Sequence, residues 1–266
     1  MADSNLDQSQ RPADVPYCRA DIILALCLLV ASLMVYVGEI YTCLNNNTPL
    51  CFGSASIPPD FAYLWTISYL QGLGDLTLIA DSVYVSQLQM ELTGRTEEYV
   101  WAYPPHFLFF VWPLSMAPQF IAYVAWVITG LVLLLWSCLS FTRFRLFFLI
   151  ALILSPAVFA NGADGHTGFY TAALLTGGIL LAPRRPIVAG ILFGLLTFKP
   201  HLGLLVPVAL VAARLWRPIF SAIITSLCLV VASMVVHGTE PVSYTHLRAH
   251  ETAMNISYAV FCLKRG

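Results

Sequence analysis

The chain has 266 residues, of which 59% are hydrophobic and only 10% charged, with a mean hydropathy of +0.78. Such a composition excludes an ordinary soluble domain and makes a bilayer the implied solvent. A formal net charge of −1 excludes a nucleic-acid partner held by bulk electrostatics.

Lipid offers the backbone no hydrogen-bond partners, and the apolar runs lack the alternation of barrel strands. The expected fold is therefore all-α, a polytopic transmembrane helical bundle with a large exoplasmic first loop bearing short interfacial helices. Residues 1–21 are polar and mixed in charge and are read as a cytoplasmic N-terminal segment. No small-residue cleavage site follows the first apolar run, so that run is read as a retained anchor. It extends from Ile22 to Cys43, 22 residues, or roughly 33 Å of helix, enough to cross hydrocarbon.

The transmembrane unit is expected over residues 22–237, with residues 44–106 as its external loop. Apolar runs follow at about 107–140, 144–160, 167–182, 187–198, 201–213 and 218–236, several of them short for full crossings. The breaks carry proline or charge: Pro113, Pro118, Ser155-Pro156, Pro183-Arg184-Arg185-Pro186, Lys199-Pro200 and Arg217-Pro218. They read as turns or kinks between packed helices. Arg11, Arg19, Arg143, Arg145, Arg184, Arg185, Arg214 and Arg217 share one side if every run crosses, which makes that side cytoplasmic.

Among the seven cysteines no C-x-x-C spacing occurs, so no metal site is expected. Cys43 and Cys51 lie just beyond the first span, where an oxidising compartment would let them close a short loop; as thiols they would be equally unremarkable.

In the external loop, Pro58-Pro59-Asp60 precedes the aromatic and aliphatic stretch Phe61 to Leu73, which predicts an amphipathic helix along the membrane surface with Asp60 at its start. A second helix is expected from Ser82 to Thr93, with Asp81 as N-cap and Gly94 as the stop. Helix capping explains either aspartate. The functional reading is a general base, since an ordinary aspartate is ionised at neutral pH and can accept a proton from a sugar hydroxyl. Trp101 and Tyr103 fit an aromatic belt at the membrane boundary, and His106 adds a titratable group beside the acidic loop.

Asn161-Gly162-Ala163-Asp164-Gly165-His166-Thr167-Gly168 is a polar turn between two apolar runs, on the same side as Asp60. It is either an ordinary interhelical turn or a place where glycines let backbone amides approach a ligand. Lys199-Pro200-His201 is the stronger signal. A lysine between apolar runs is expensive unless it snorkels to the interface, and a cation there suits a lipid phosphate.

Taken in order, Asp60-Phe61 with Leu64-Trp65, Ala80-Asp81, Trp101-x-Tyr103-Pro104-Pro105-x-Phe107, Gly165-His166-Thr167-Gly168-Phe169 and Gly190 through Lys199-Pro200-x-Leu202-Gly203 resemble glycosyltransferase family 87. The resemblance covers roughly residues 20–237. It implies a GT-C membrane enzyme that moves a sugar, typically mannose, from a polyprenyl-phosphate donor to an envelope glycolipid or glycan acceptor. On that basis Asp60 is the catalytic base and Asp81 a second acidic candidate, with Lys199 and His201 binding the donor phosphate. Tyr103, His106, Asn161 and His166 are substrate-binding candidates. The family's glycine-rich motif reads Gly-Gln-Asn-Gly, whereas His166 and Thr167 occupy the middle here, so roles do not carry over to those two by position. The implied reaction is inverting, needs no metal or cofactor, and takes place on the exoplasmic face of a bacterial inner membrane.

Residues 238–266 change character, and Ser243 to Thr252 resembles translated sequencing-adaptor read-through, so this tail is expected to be non-native and the chain an N-terminal fragment of a longer enzyme, for which the resemblance implies no activity of the fragment by itself. Two other readings use the same features. A polyprenyl-lipid transporter or flippase would also place polar residues among broken helices, and a non-catalytic membrane scaffold would need neither Asp60 nor Lys199.

Overall fold

The computed structural model describes residues 57–74, 76–94, 101, 103–139, 155–199 and 205–238, with isolated helical positions at 30, 33, 34, 37, 152 and 202. Among the described residues every regular element is helical. Most of the first span, Cys43, Cys51, His201 and nearly all of the 238–266 tail lie outside them.

Helix α1 runs Pro59–Leu73. Pro58 is its N-cap and Pro59 supplies the fixed φ of the first turn, while Gly74 closes it in the left-handed region at φ 84°. Asp60 thus sits inside the first turn, where its charge favours the helix dipole, and makes no cap. The expected surface helix is not what forms. Phe61, Ala62, Ile67 and Leu70 are fully buried, and so are Thr66 and Ser68 on the polar side. Those hydroxyls have internal acceptors, Thr66 Oγ1 donating to the Ala62 carbonyl at 2.9 Å and Ser68 Oγ to the Trp112 carbonyl at 2.9 Å. With these hydroxyls satisfied internally, that part of the helix can be buried without an unpaired donor.

A 3-10 turn at Leu76–Ala80 leads to α2, Ser82–Thr93. Asp81 Oδ1 accepts from the backbone amides of Val83 and Tyr84, both at 3.0 Å, and Gly94 ends the helix at φ 68°. Trp101 and Tyr103 do not form a boundary belt. Trp101 is buried, its ring 5.3 Å from Tyr103 and 5.9 Å from Phe107 between centroids, and Tyr103 stacks on Phe107 at 4.3 Å. This aromatic group joins α1 in one core with Val111, Trp126 and Phe198.

Prolines break what reads as one apolar run from 107. A 3-10 turn at Pro105–Phe107, a single helical turn α3 at Leu108–Val111 and a further 3-10 stretch at Trp112–Met116 precede α4, Gln119–Leu139. Then come α5 (Pro156–Asp164), α6 (Gly168–Leu181), α7 (Pro186–Leu195) continued by a 3-10 turn at Leu196–Phe198, α8 (Leu205–Ala212) and α9 (Trp216–His237). Helices α4 and α9 are long and apolar enough to cross a membrane, while α6 and α7 are shorter. Helix α9 presents Phe220, Ile224, Leu227, Val231 and Val235 outward, an arrangement that water would penalise and lipid does not.

Helix α7 packs against both α6 and α9, and α4 against α6. Between α7 and α9 the fit is close, because a side chain at Gly194 would stand 2.5 Å from Thr225 Cβ, and one at Gly190 would collide with Ser221. These small residues let the two backbones approach.

Candidate active site

The polar turn is shorter than its composition suggests. Asn161 through Asp164 complete α5, and Gly165 closes that helix in the left-handed region at φ 69°. The turn proper is Gly165-His166-Thr167, with the His166 amide donating to the Asn161 carbonyl at 3.1 Å. Helix α4 holds it from outside: Tyr123 Oη donates to the Gly162 carbonyl at 2.7 Å, and Trp126 Nε1 to the Gly165 carbonyl at 3.1 Å. Gly165 lies directly on α1, its missing side chain leaving room for Phe61.

That contact brings the neighbouring residues together. His166 Nδ1 stands 2.8 Å from Asp60 Oδ2, and His166 Nε2 stands 3.5 Å from Asp164 Oδ2. The imidazole therefore lies between two carboxylates, close to Asp60 and more loosely set against Asp164. The Asp60 side chain is 27% exposed, so it is sheltered yet reachable. Its Oδ1 has no hydrogen-bond partner among the described residues.

Tyr103 borders the pair. Burial is the main cause that raises its phenol above the ordinary value, the Asp60 charge raises it further, and the neighbouring Thr167 hydroxyl partly opposes the rise. Thr167 is itself buried, with its Oγ1 otherwise unpartnered, and the Asn161 Nδ2 amide is likewise buried without a hydrogen-bond partner. Asn161 Oδ1 packs against Gly168, where a side chain would collide with it. A buried amide nitrogen left open in this way is uncommon and can take a water or a ligand atom as acceptor.

His106 and Lys199 make a second group. His106 is buried, and its Nε2 lies 3.3 Å from Thr197 Oγ1, tying the aromatic segment to the end of α7. Burial lowers its pKa below the ordinary imidazole value. Lys199 follows Phe198, which stacks on Phe107 at 4.9 Å, and burial lowers the ammonium pKa as well. Among the described residues no acid pairs with Lys199. The structure thus brings Asp60, Tyr103, Asn161 and His166 into one neighbourhood and joins His106 to Thr197. Asp81 is held apart as a cap.

Behind the polar turn lies a cavity of about 680 Å³ among α4, α6 and α7. Its wall is almost wholly apolar, with Trp126, Tyr170, Phe107 and Phe198 around Thr167 and with Leu133 and Leu192 farther along, and it extends to Arg184 and Arg185. Tyr123, Trp126 and Asp164 were not singled out from the sequence. A tyrosine and a tryptophan three apart on an apolar helix are a usable signal, because their polar tips need partners when buried.

These features define a helical membrane protein in which a carboxylate–imidazole pair is followed in the chain by Thr167, a residue of the wall of an apolar cavity. The sequence model of glycosyltransferase family 87 matches residues 101–259, more than half of the chain, and the chain belongs to that family of membrane glycosyltransferases. The matched range contains Tyr103, His106, Asn161, His166, Lys199 and His201 and reaches into the 238–266 tail, whereas Asp60 and Asp81 precede it. No curated protein and no solved structure matches the chain.

Proposed function

We propose that the protein transfers a hexose, with mannose the first choice, from a polyprenyl-phosphate donor to a glycolipid or glycan acceptor of the cell envelope, inverting the anomeric carbon. The reading places it as a multi-pass protein of the bacterial plasma membrane with this site on the exoplasmic face. One observation carries it: the Asp60–His166 pair adjoins an apolar cavity of about 680 Å³ through Thr167. A lipid-linked donor needs that combination, a dry channel for its tail and a carboxylate where its head emerges.

In this reading Asp60 Oδ1 takes the proton of an acceptor hydroxyl as that oxygen attacks the anomeric carbon, and the bond to the phosphate oxygen breaks in the same step. His166 donates to Oδ2 and so aims the free oxygen. Lys199 balances the charge on the departing polyprenyl phosphate. Its buried position makes a cation uncomfortable until an anion arrives, which favours binding of a phosphate. Positioning and charge stabilisation carry the remainder of the rate.

The test uses membranes containing the full-length protein and radiolabelled polyprenyl-phosphate mannose. Asp60→Asn, which keeps shape and removes the base, lowers transfer by about 10²–10⁴-fold while leaving donor binding intact. Unchanged transfer in the variant removes Asp60 from the chemistry, and a wild-type protein inert toward this donor overturns the donor assignment.

A further inference from the structure

A second groove, of about 790 Å³, lies on the outer surface where α7 and α9 run side by side. Its walls are Ile187, Ile191, Phe220 and Ile224, all largely exposed, and its floor is closed by the tight Gly190–Ser221 and Gly194–Thr225 contacts. One end is unlike the rest. Arg185, the N-cap of α7, and Arg217, in the first turn of α9, both line it, are exposed, and have no acidic partner among the described residues.

The two helices are parallel, as the paired contacts 190–221 and 194–225 require, so both begin at this end and direct their free amides toward it. The groove therefore offers two positive charges and two helix starts at one end of an apolar trough. A molecule that matches it has an anionic head and hydrocarbon tails.

We propose that this groove binds an anionic glycerophospholipid of the surrounding bilayer, with the phosphate between Arg185 and Arg217 and the acyl chains along α7 and α9. The groove opens on the outer face and shares only Arg185 and Val188 with the far end of the cavity behind the polar turn; the proposal rests on the chain's place in a membrane, not on the transfer chemistry. A zwitterionic lipid brings a cation to the same two arginines and fits less well.

Native mass spectrometry of the full-length protein, taken from nanodiscs containing equal phosphatidylglycerol and phosphatidylcholine, reads the outcome without any transfer assay. Wild type retains phosphatidylglycerol with about tenfold preference. Arg185→Gln with Arg217→Gln abolishes the preference, the corresponding double lysine variant keeps it, and Arg214→Gln, outside the groove, has no effect. Ile191→Trp fills the trough while leaving both arginines, and it too loses the lipid, a check that does not depend on the double variant folding. The proposal fails if wild type shows no preference, if the double glutamine or the tryptophan variant keeps it, if glycerol 3-phosphate alone displaces the lipid, or if the groove proves to be covered by a second copy of the chain.

Discussion

Gly165 and Phe61 meet so closely that a side chain on the glycine would fall 2.7 Å from the Phe61 Cβ. This contact seats the polar turn on α1 and places His166 over Asp60. Gly165→Ala therefore meets two penalties, a left-handed backbone at φ 69° and a steric overlap, and is expected to cost about 1–3 kcal/mol together with most of the transfer activity. Gly94→Ala is the control, since Gly94 has φ 68° but open space around it. The difference between the two variants in thermal unfolding isolates the Phe61 contact.

Asp81 and Asp60 both stand at helix starts, the first as the N-cap of α2 and the second in the first turn of α1, and their variants should behave in opposite ways. Asp81→Ala removes the acceptor for two α2 amides and lowers stability by about 1 kcal/mol, with kcat unchanged. A large kcat loss with unaltered stability would instead put Asp81 in the chemistry.

Lys199 is held in a half-buried position that disfavours its charge. Lys199→Met should therefore leave stability unchanged or improve it, because a desolvated cation is replaced by an apolar chain of similar length. Donor affinity should fall about tenfold, the effect of losing one charge-assisted contact to phosphate. A variant that is less stable but binds donor normally would show that the lysine serves the fold.

His106 supplies a pH dependence. Burial lowers its folded-state pKa below the ordinary value near 6.5, so the folded chain resists a proton that the unfolded chain accepts. This term is absent above the unfolded pKa and destabilises the fold progressively as pH drops through about 6.5. His106→Gln should flatten that part of the melting-temperature profile between pH 8 and 5. An unaltered acid slope would assign it to other groups.

The sequence made some of this legible and concealed the rest for physical reasons. Helix α2 could be bounded because Asp81 and Gly94 act within a few residues of where they stand, and α9 because its apolar length has one economical explanation. The burial of α1 was hidden, since Phe61 to Leu70 reads alike whether its surroundings are lipid or protein, and only the distant acceptor at Trp112 distinguishes them. Likewise α5 runs on through Asn161 to Asp164, where Asn161, Gly162 and Asp164 are poor helix formers, before a left-handed Gly165 terminates it. Asp60 and His166 were candidates from the outset, yet their pairing depends on the packing of α5 against α1, which local composition does not encode.

Trp126 belongs to two parts of the molecule at once. Its ring forms part of the cavity wall, while its Nε1 steadies the Gly165 carbonyl beneath His166. Tyr170, another wall residue, donates to the Trp126 carbonyl at 2.8 Å and lies against its ring. Whatever fills the cavity therefore meets the same indole that holds the turn carrying His166. On the proposed reading, the donor's tail and the imidazole beside Asp60 share one support, so a substitution at Trp126 would be felt at both.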